Sequence, residues 1–108
     1  MVKVKRGEIW LVALDPTQGS EIQKTRPCVV VSPAELNDNL RTVIVAPMTS
    51  KGFPAPFRVP VTHGGTKGMI LLDQMRTVDK ARLVKKVGAV TGKTLTATLT
   101  TLQEVFTE

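Results

Sequence analysis

The chain has 108 residues, a single cysteine and a formal net charge of +6 from 15 basic and 9 acidic side chains. Its length leaves room for one domain, residues 1–108, and a hydrophobic share of 42 % excludes a disordered chain. The lone cysteine excludes an internal disulfide and a cysteine-built metal site, while the basic surplus favours a polyanionic partner such as nucleic acid.

The N-terminal run Met1-Val2-Lys3-Val4-Lys5-Arg6 carries charge with no apolar stretch behind it, unlike a secretory leader. Lys or Arg interrupts every apolar run before it reaches the length of a membrane span. A cytoplasmic protein is expected. Residues Glu8 to Leu14 read as a strand, short and mixed in β-branched and aromatic types, ending at Asp15-Pro16. Trp10 on that strand is expected in the core. A long polar loop follows to Thr25, and loops of this length in a compact domain are commonly functional.

Arg26 precedes Pro27, which pushes it into an extended conformation at the mouth of a second strand, Pro27 to Ser32. The valine run of this strand suggests burial on both faces, with Cys28 as a buried, inert thiol. Ser32-Pro33-Ala34-Glu35 has the pattern of a helix start, with Ser32 as N-cap and the helix ending near Asn39. A third strand runs from Arg41 to Met48, with Thr49 and Ser50 just past it. Lys51 to Pro56 is a second irregular loop, and Phe57 to Thr62 a strand. His63-Gly64-Gly65 reads as a turn, and His63 as a plain turn residue in preference to an acid–base group, followed by a strand from Gly68 to Leu72. Asp73 to Asp79 is expected to be extended or bulged, and Leu83 to Val87 a last strand. Thr91 caps a helix reaching about Phe106, with Leu95, Leu99, Leu102 and Phe106 on one apolar stripe. The pattern predicts a mainly β (α+β) fold: a small antiparallel barrel with a short helix and an appended C-terminal amphipathic helix. A domain this small would gain support from dimerisation.

One histidine and one cysteine give no zinc spacing, and there is no phosphate-cradling glycine motif. Any catalysis must draw on arginine, carboxylates, hydroxyls and backbone amides. That inventory suits RNA cleavage, because RNA carries its own nucleophile in the 2′-hydroxyl. An arginine can clamp the phosphate, a carboxylate can accept a proton and a hydroxyl can hold a non-bridging oxygen.

Arg6-Gly7-Glu8-Ile9-Trp10, Asp15-Pro16-Thr17-Gln18-Gly19-Ser20-Glu21, Thr25-Arg26-Pro27, Pro47-Met48-Thr49-Ser50 and Asp73-Gln74 occur in this order. In order and spacing they resemble the MazF/PemK-type toxins, over nearly the whole chain. The resemblance implies a metal-independent endoribonuclease toxin, or mRNA interferase, on an SH3-like barrel, with no cofactor. It also implies a homodimer, a cognate antitoxin whose disordered tail occupies the RNA groove, and cleavage of single-stranded RNA to a 2′,3′-cyclic phosphate and a 5′-hydroxyl. By the same resemblance Arg26, Thr49 and Glu21 match catalytic positions. Asp73 matches the aspartate that the PemK branch uses as general base. That branch has an arginine two residues earlier and a histidine in the first loop, whereas this chain has Leu71 and no histidine among Gln18 to Ser20. The arrangement of Arg26, Thr49 and Glu21 is therefore favoured, with Asp73 and Ser50 as further catalytic candidates.

Lys24, Lys51, Arg58 and Arg76 are candidate phosphate contacts, Phe53 is a candidate base-stacking residue, and Gln23 and Gln74 complete the expected RNA-binding set. Two readings from other classes compete: a nucleic-acid-binding barrel without catalysis, and a peptide-binding module.

Overall fold

The structure is a computed structural model that describes residues 2–22 and 24–108. Among the described residues, seven strands and two α-helices follow in the order β1 (Glu8–Ala13), β2 (Thr25–Val30), α1 (Ala34–Asn37), β3 (Thr42–Thr49), β4 (Arg58–His63), β5 (Thr66–Leu71), β6 (Arg76–Asp79), β7 (Leu83–Ala89) and α2 (Gly92–Val105). Short 3-10 turns at Leu72–Gln74 and Lys80–Arg82 flank β6. All strand pairs are antiparallel, in the order β4-β5-β3-β2-β1-β7.

Strand β3 is the pivot. One of its edges pairs with β2; along the other, Thr42–Val45 pair with β6 and Met48–Thr49 with β5. Three partners on one strand curl the sheet into a partly open barrel. Among the described residues no ladder joins the end strands β4 and β7.

The valine-rich runs have a physical explanation in this curl. Along β1 and β2, alternate side chains enter two different cores. Trp10, Val12, Cys28 and Val30 pack with Val43, Val45, Val78 and Leu83. Ile9, Val29 and Val31 pack with Met48, Val59, Val61 and Ile70 on the opposite face. A strand apolar on both faces loses the usual alternation. The Cys28 thiol is fully buried, and burial pushes its pKa up to about 12, against a smaller pull from the Arg76 charge.

Glu8 opens β1 and is buried, yet it keeps its charge. Its carboxylate accepts from the Trp10 indole N–H (3.2 Å) and the Lys5 backbone N–H (2.8 Å), and pairs with Lys86 across the β1–β7 ladder at 2.8 Å. Burial raises its pKa, but these partners together outweigh burial and hold the carboxyl below its ordinary range. Trp10 is thus a core residue, as expected, with its one polar atom satisfied.

Several element boundaries differ from the sequence expectation. Pro33, not Ser32, is the N-cap of α1, and it provides no side-chain cap. The Ser32 hydroxyl instead donates to Asn37 Oδ1 and accepts from Ile44 N–H, tying the short helix to β3. Strand β5 starts at Thr66 rather than Gly68, and β4 includes His63, because the connection is a two-residue turn, Gly64-Gly65, with positive φ at both positions. The segment 73–79 divides into the 3-10 turn and β6. In α2, Thr91 is the N-cap, as its sequence suggests, its hydroxyl accepting from Thr94 N–H. The apolar stripe is shorter than expected. Thr98 is buried and Leu102 packs on the second core, but Phe106 is 70 % exposed because it is the C-cap, where the helical stripe has ended.

Candidate functional site

Two depressions lie side by side along the end of β3. The first is a groove of about 260 Å³ lined by Arg26 and Pro27 from β2, Met48, Thr49 and Ser50 from the end of β3, and His63, Thr66, Lys67 and Gly68 from the β4–β5 hairpin. The second, about 170 Å³, is lined by Glu21, Ile22, Asp73, Gln74 and Arg76, with Leu14, Pro47 and Met75.

The sequence places Arg26 where it is. Pro27 forces the extended backbone before it, and the β1–β2 register sets Arg26 opposite Val12 near the end of the ladder, on the exposed rim. The loop behind it is braced. Asp15 Oδ1 accepts from Lys24 N–H at 2.9 Å, and the Leu14 N–H donates to the Lys24 carbonyl at 3.0 Å. Lys24 itself holds a positive φ of 67°, which turns the chain into β2. Gln74 Oε1 accepts from Ile22 N–H (2.8 Å), and Arg76 Nη1 donates to the Leu14 carbonyl (3.2 Å). Two residues expected to bind RNA, Gln74 and Arg76, thus fasten the first loop to the body of the barrel.

Thr49 ends β3 opposite Met69 of β5. Its Oγ1 accepts the backbone N–H of Lys51 at 3.1 Å, and the hydroxyl proton is left to donate outward. Gly68 makes this possible. A Cβ at that position would lie 2.5 Å from the Thr49 carbonyl oxygen, so any side chain there pushes the hairpin off Thr49.

The structure unites only part of the expected catalytic set. Arg26, Thr49 and Ser50 share the first groove. Glu21 lines the second depression, and its Oε1 accepts the backbone N–H of Gln18 at 2.6 Å, which makes it a brace of its own loop. Asp73 also lies there. Leu71 does not leave Asp73 without an arginine, as the sequence suggests, because the guanidinium comes from the neighbouring strand. Leu71 pairs in register with Arg58, whose Nε and Nη2 reach Asp73 Oδ1 and Oδ2 at 3.2 and 3.0 Å. The Asp73 carboxylate raises the Arg58 pKa in return.

Arg58 is also stacked. Its Cζ lies 4.3 Å from the Phe53 ring centroid and 5.8 Å from that of Phe57, and Nη1 donates to the Phe53 carbonyl at 3.3 Å. Phe53 is 63 % exposed, so the ring is held by Arg58 on one side and offered to solvent elsewhere. Lys24 and Lys51 are exposed. Gln23 lies outside the described residues.

Three groove residues with polar side chains lie outside the site set chosen from the sequence: His63, which the sequence pattern assigns to a turn, Thr66 and Lys67. The Gly64-Gly65 pair carried the signal. A two-residue hairpin sets His63 opposite Thr66, which puts both on strands rather than in a turn.

The chain is similar to proteins of known activity and fold. It is 42 % identical over 110 residues to "Endoribonuclease PemK" of Escherichia coli, with 96 % of this chain and 83 % of that protein covered. The crystal structure of MazF (Form-I) from Deinococcus radiodurans matches with a TM-score of 0.84 at 24 % identity, covering 97 % of each chain. An endoribonuclease from Mycobacterial species in complex with its cognate antitoxin matches with a TM-score of 0.79 at 22 % identity, over 94 % of this chain and 92 % of that one. Residues 5–106 match the family described as PemK-like, MazF-like toxins of type II toxin–antitoxin systems, and the chain belongs to that family.

Proposed function

We propose that the chain is an endoribonuclease toxin that cleaves single-stranded RNA in the groove of Arg26 and Thr49. The 2′-hydroxyl attacks the adjacent phosphorus, giving a 2′,3′-cyclic phosphate and a 5′-hydroxyl, with no metal required. The observation that carries this reading is the convergence of Arg26, Lys67, Thr49 and Ser50 on one groove that no carboxylate lines among the described residues. Two cations and two hydroxyls form an anion receptor. At about 260 Å³ the groove falls below the roughly 300 Å³ at which drug-sized pockets begin, so it suits one phosphodiester segment, with the strand continuing along the surface.

In this reading the Arg26 guanidinium clamps the phosphate and stabilises the charge that builds on it in the transition state. The Thr49 hydroxyl, already oriented by Lys51 N–H, donates to a non-bridging oxygen. Glu21 serves by holding the loop that leads to Arg26. The Asp73–Arg58 pair serves by fixing Phe53 as a stacking surface for a base. Lys24 and Lys51 contact flanking phosphates. Membership of the toxin family supports a cognate antitoxin that competes for this surface. We read the protein as a cytoplasmic homodimer, for which sedimentation should give twice 11.7 kDa. No helix among the described residues is long and apolar enough to cross a membrane.

The test is incubation with mixed-sequence single-stranded RNA in excess EDTA, followed by mapping of cut sites and end groups. Discrete cuts bearing 5′-hydroxyl and cyclic-phosphate ends are expected. Intact RNA in the presence of folded, antitoxin-free protein rejects the enzyme and leaves a binding module.

A further inference from the structure

Transphosphorylation needs a group that takes the proton of the 2′-hydroxyl, and most candidates in this chain are committed elsewhere. Arginine stays protonated at any neutral pH. Glu21 is outside the Arg26 groove and bonded to Gln18. Both oxygens of Asp73 face Arg58. Thr49 accepts from Lys51, and an aliphatic hydroxyl is a weak base in any case. The groove holds one side chain of the type that accepts and donates protons near neutral pH, the imidazole of His63.

His63 is held in a particular way. It ends β4, at the seam where the sheet stops short of closing on β7. Its Cε1 and Nδ1 lie 3.1 and 3.5 Å from the point where a Cβ on Gly88 of β7 would stand. The bare backbone of Gly88 thus makes room for the ring and supports its Nδ1–Cε1 edge, with Cδ2 and Nε2 extending from the far side. Among the described residues neither ring nitrogen has a hydrogen-bond partner. The charged groups that share the groove with it are Arg26 from β2 and Lys67 from β5. A half-buried imidazole propped on a glycine, with both nitrogens uncommitted and an anion receptor beside it, has the attributes of a proton acceptor rather than a turn residue.

We propose that His63 is the general base of the Arg26 groove, an inference that rests on the RNA-cleaving function above. The 2′-oxygen forms its bond to phosphorus as its proton passes to an imidazole nitrogen. The bond from phosphorus to the 5′-oxygen breaks, its electron pair going to that oxygen, which takes a proton from water. The imidazolium then returns its proton to the hydroxide left in solvent, so protons and charge balance over the cycle.

Single-turnover cleavage of an RNA carrying one mapped site, followed as a function of pH for the wild type, His63→Gln and His63→Ala, tests the assignment. The wild-type rate should fall on the acid side, where a general base is lost to protonation. His63→Gln should be slower by about 10²- to 10⁴-fold, should lose that limb, and should retain RNA binding. Added imidazole should restore part of the rate to His63→Ala. A wild type that cuts RNA with no acid limb overturns the proposal even if both variants fail to fold. So does a folded His63→Gln that cuts at the wild-type rate. A wild type that cuts nothing rejects the RNA-cleaving function itself, which is a separate result.

Discussion

Arg26 lies on an exposed rim and takes no part in either hydrophobic core, so its removal should separate function from folding. Arg26→Ala should keep the melting temperature and lose on the order of 10³-fold or more in single-turnover cleavage; Arg26→Lys should not restore it, because an ammonium lacks the planar fork. Thr49→Ala removes one donor and should cost about 10²-fold, with Thr49→Ser close to wild type. Rates like wild type in Thr49→Ala would take that hydroxyl out of the site. Glu8 supports a prediction about stability. Its folded pKa is depressed, so its contribution is present above the unfolded carboxyl pKa and is lost as pH falls through the folded one. Glu8→Gln should therefore unfold at lower denaturant at neutral pH, by about 1–3 kcal/mol, and the gap should narrow as the pH drops below about 4. A gap that stays constant down to acid pH would show that the charge on Glu8 contributes nothing.

At the scale of elements, the strands and the C-terminal helix were legible because their signals are local. Valine runs, Pro27, the Thr91 cap and the glycine pair each act within a few residues. Arg26 and Thr49 could be placed together because each stands at the end of a strand in a family pattern. What could not be read was pairing across the sheet. Nothing near Leu71 in sequence reveals that Arg58 stands opposite it and supplies the guanidinium to Asp73. Glu21 is only five residues from Arg26, yet a hydrogen bond within its loop turns it into the neighbouring depression. Sequence distance is a poor guide where a braced loop decides direction. The close approach of β5 to β3 is equally hidden, and it yields a test. Gly68→Ala would bring a methyl group to 2.5 Å from the Thr49 carbonyl, so the hairpin must shift. Both a lower melting temperature and a cleavage defect as large as that of Thr49→Ala are expected; an unchanged melting temperature would mean the strands can separate there at no cost.

For the molecule as a whole, the net charge of +6 should govern how RNA is held more than which RNA is chosen. Binding of uncleaved RNA to Arg26→Ala should weaken steeply with salt. Engagement of about four phosphates gives a slope near −3 in log affinity against log salt. A flat dependence would place the affinity in base contacts instead. Stacking surfaces are few, since the chain has three Phe, one Trp and no Tyr, and Trp10 is buried; because stacking tolerates every base, base choice is expected to rest on polar and backbone contacts in the loops. Phe53, backed by Arg58, is the exposed ring beside the site.

The single thiol at Cys28, sealed between β1 and β3 and with burial holding it protonated, gives the protein a built-in clock. A soluble alkylating or disulfide reagent can reach that sulfur only when the central strands part, so its reaction rate in native buffer counts openings of the barrel. Any ligand that binds only the closed barrel must slow the count in proportion to its occupancy, by the factor 1 + [L]/Kd when opening is a pre-equilibrium. One residue with no part in catalysis thereby reports, without a label and without RNA turnover, how firmly an antitoxin or an RNA holds the toxin shut.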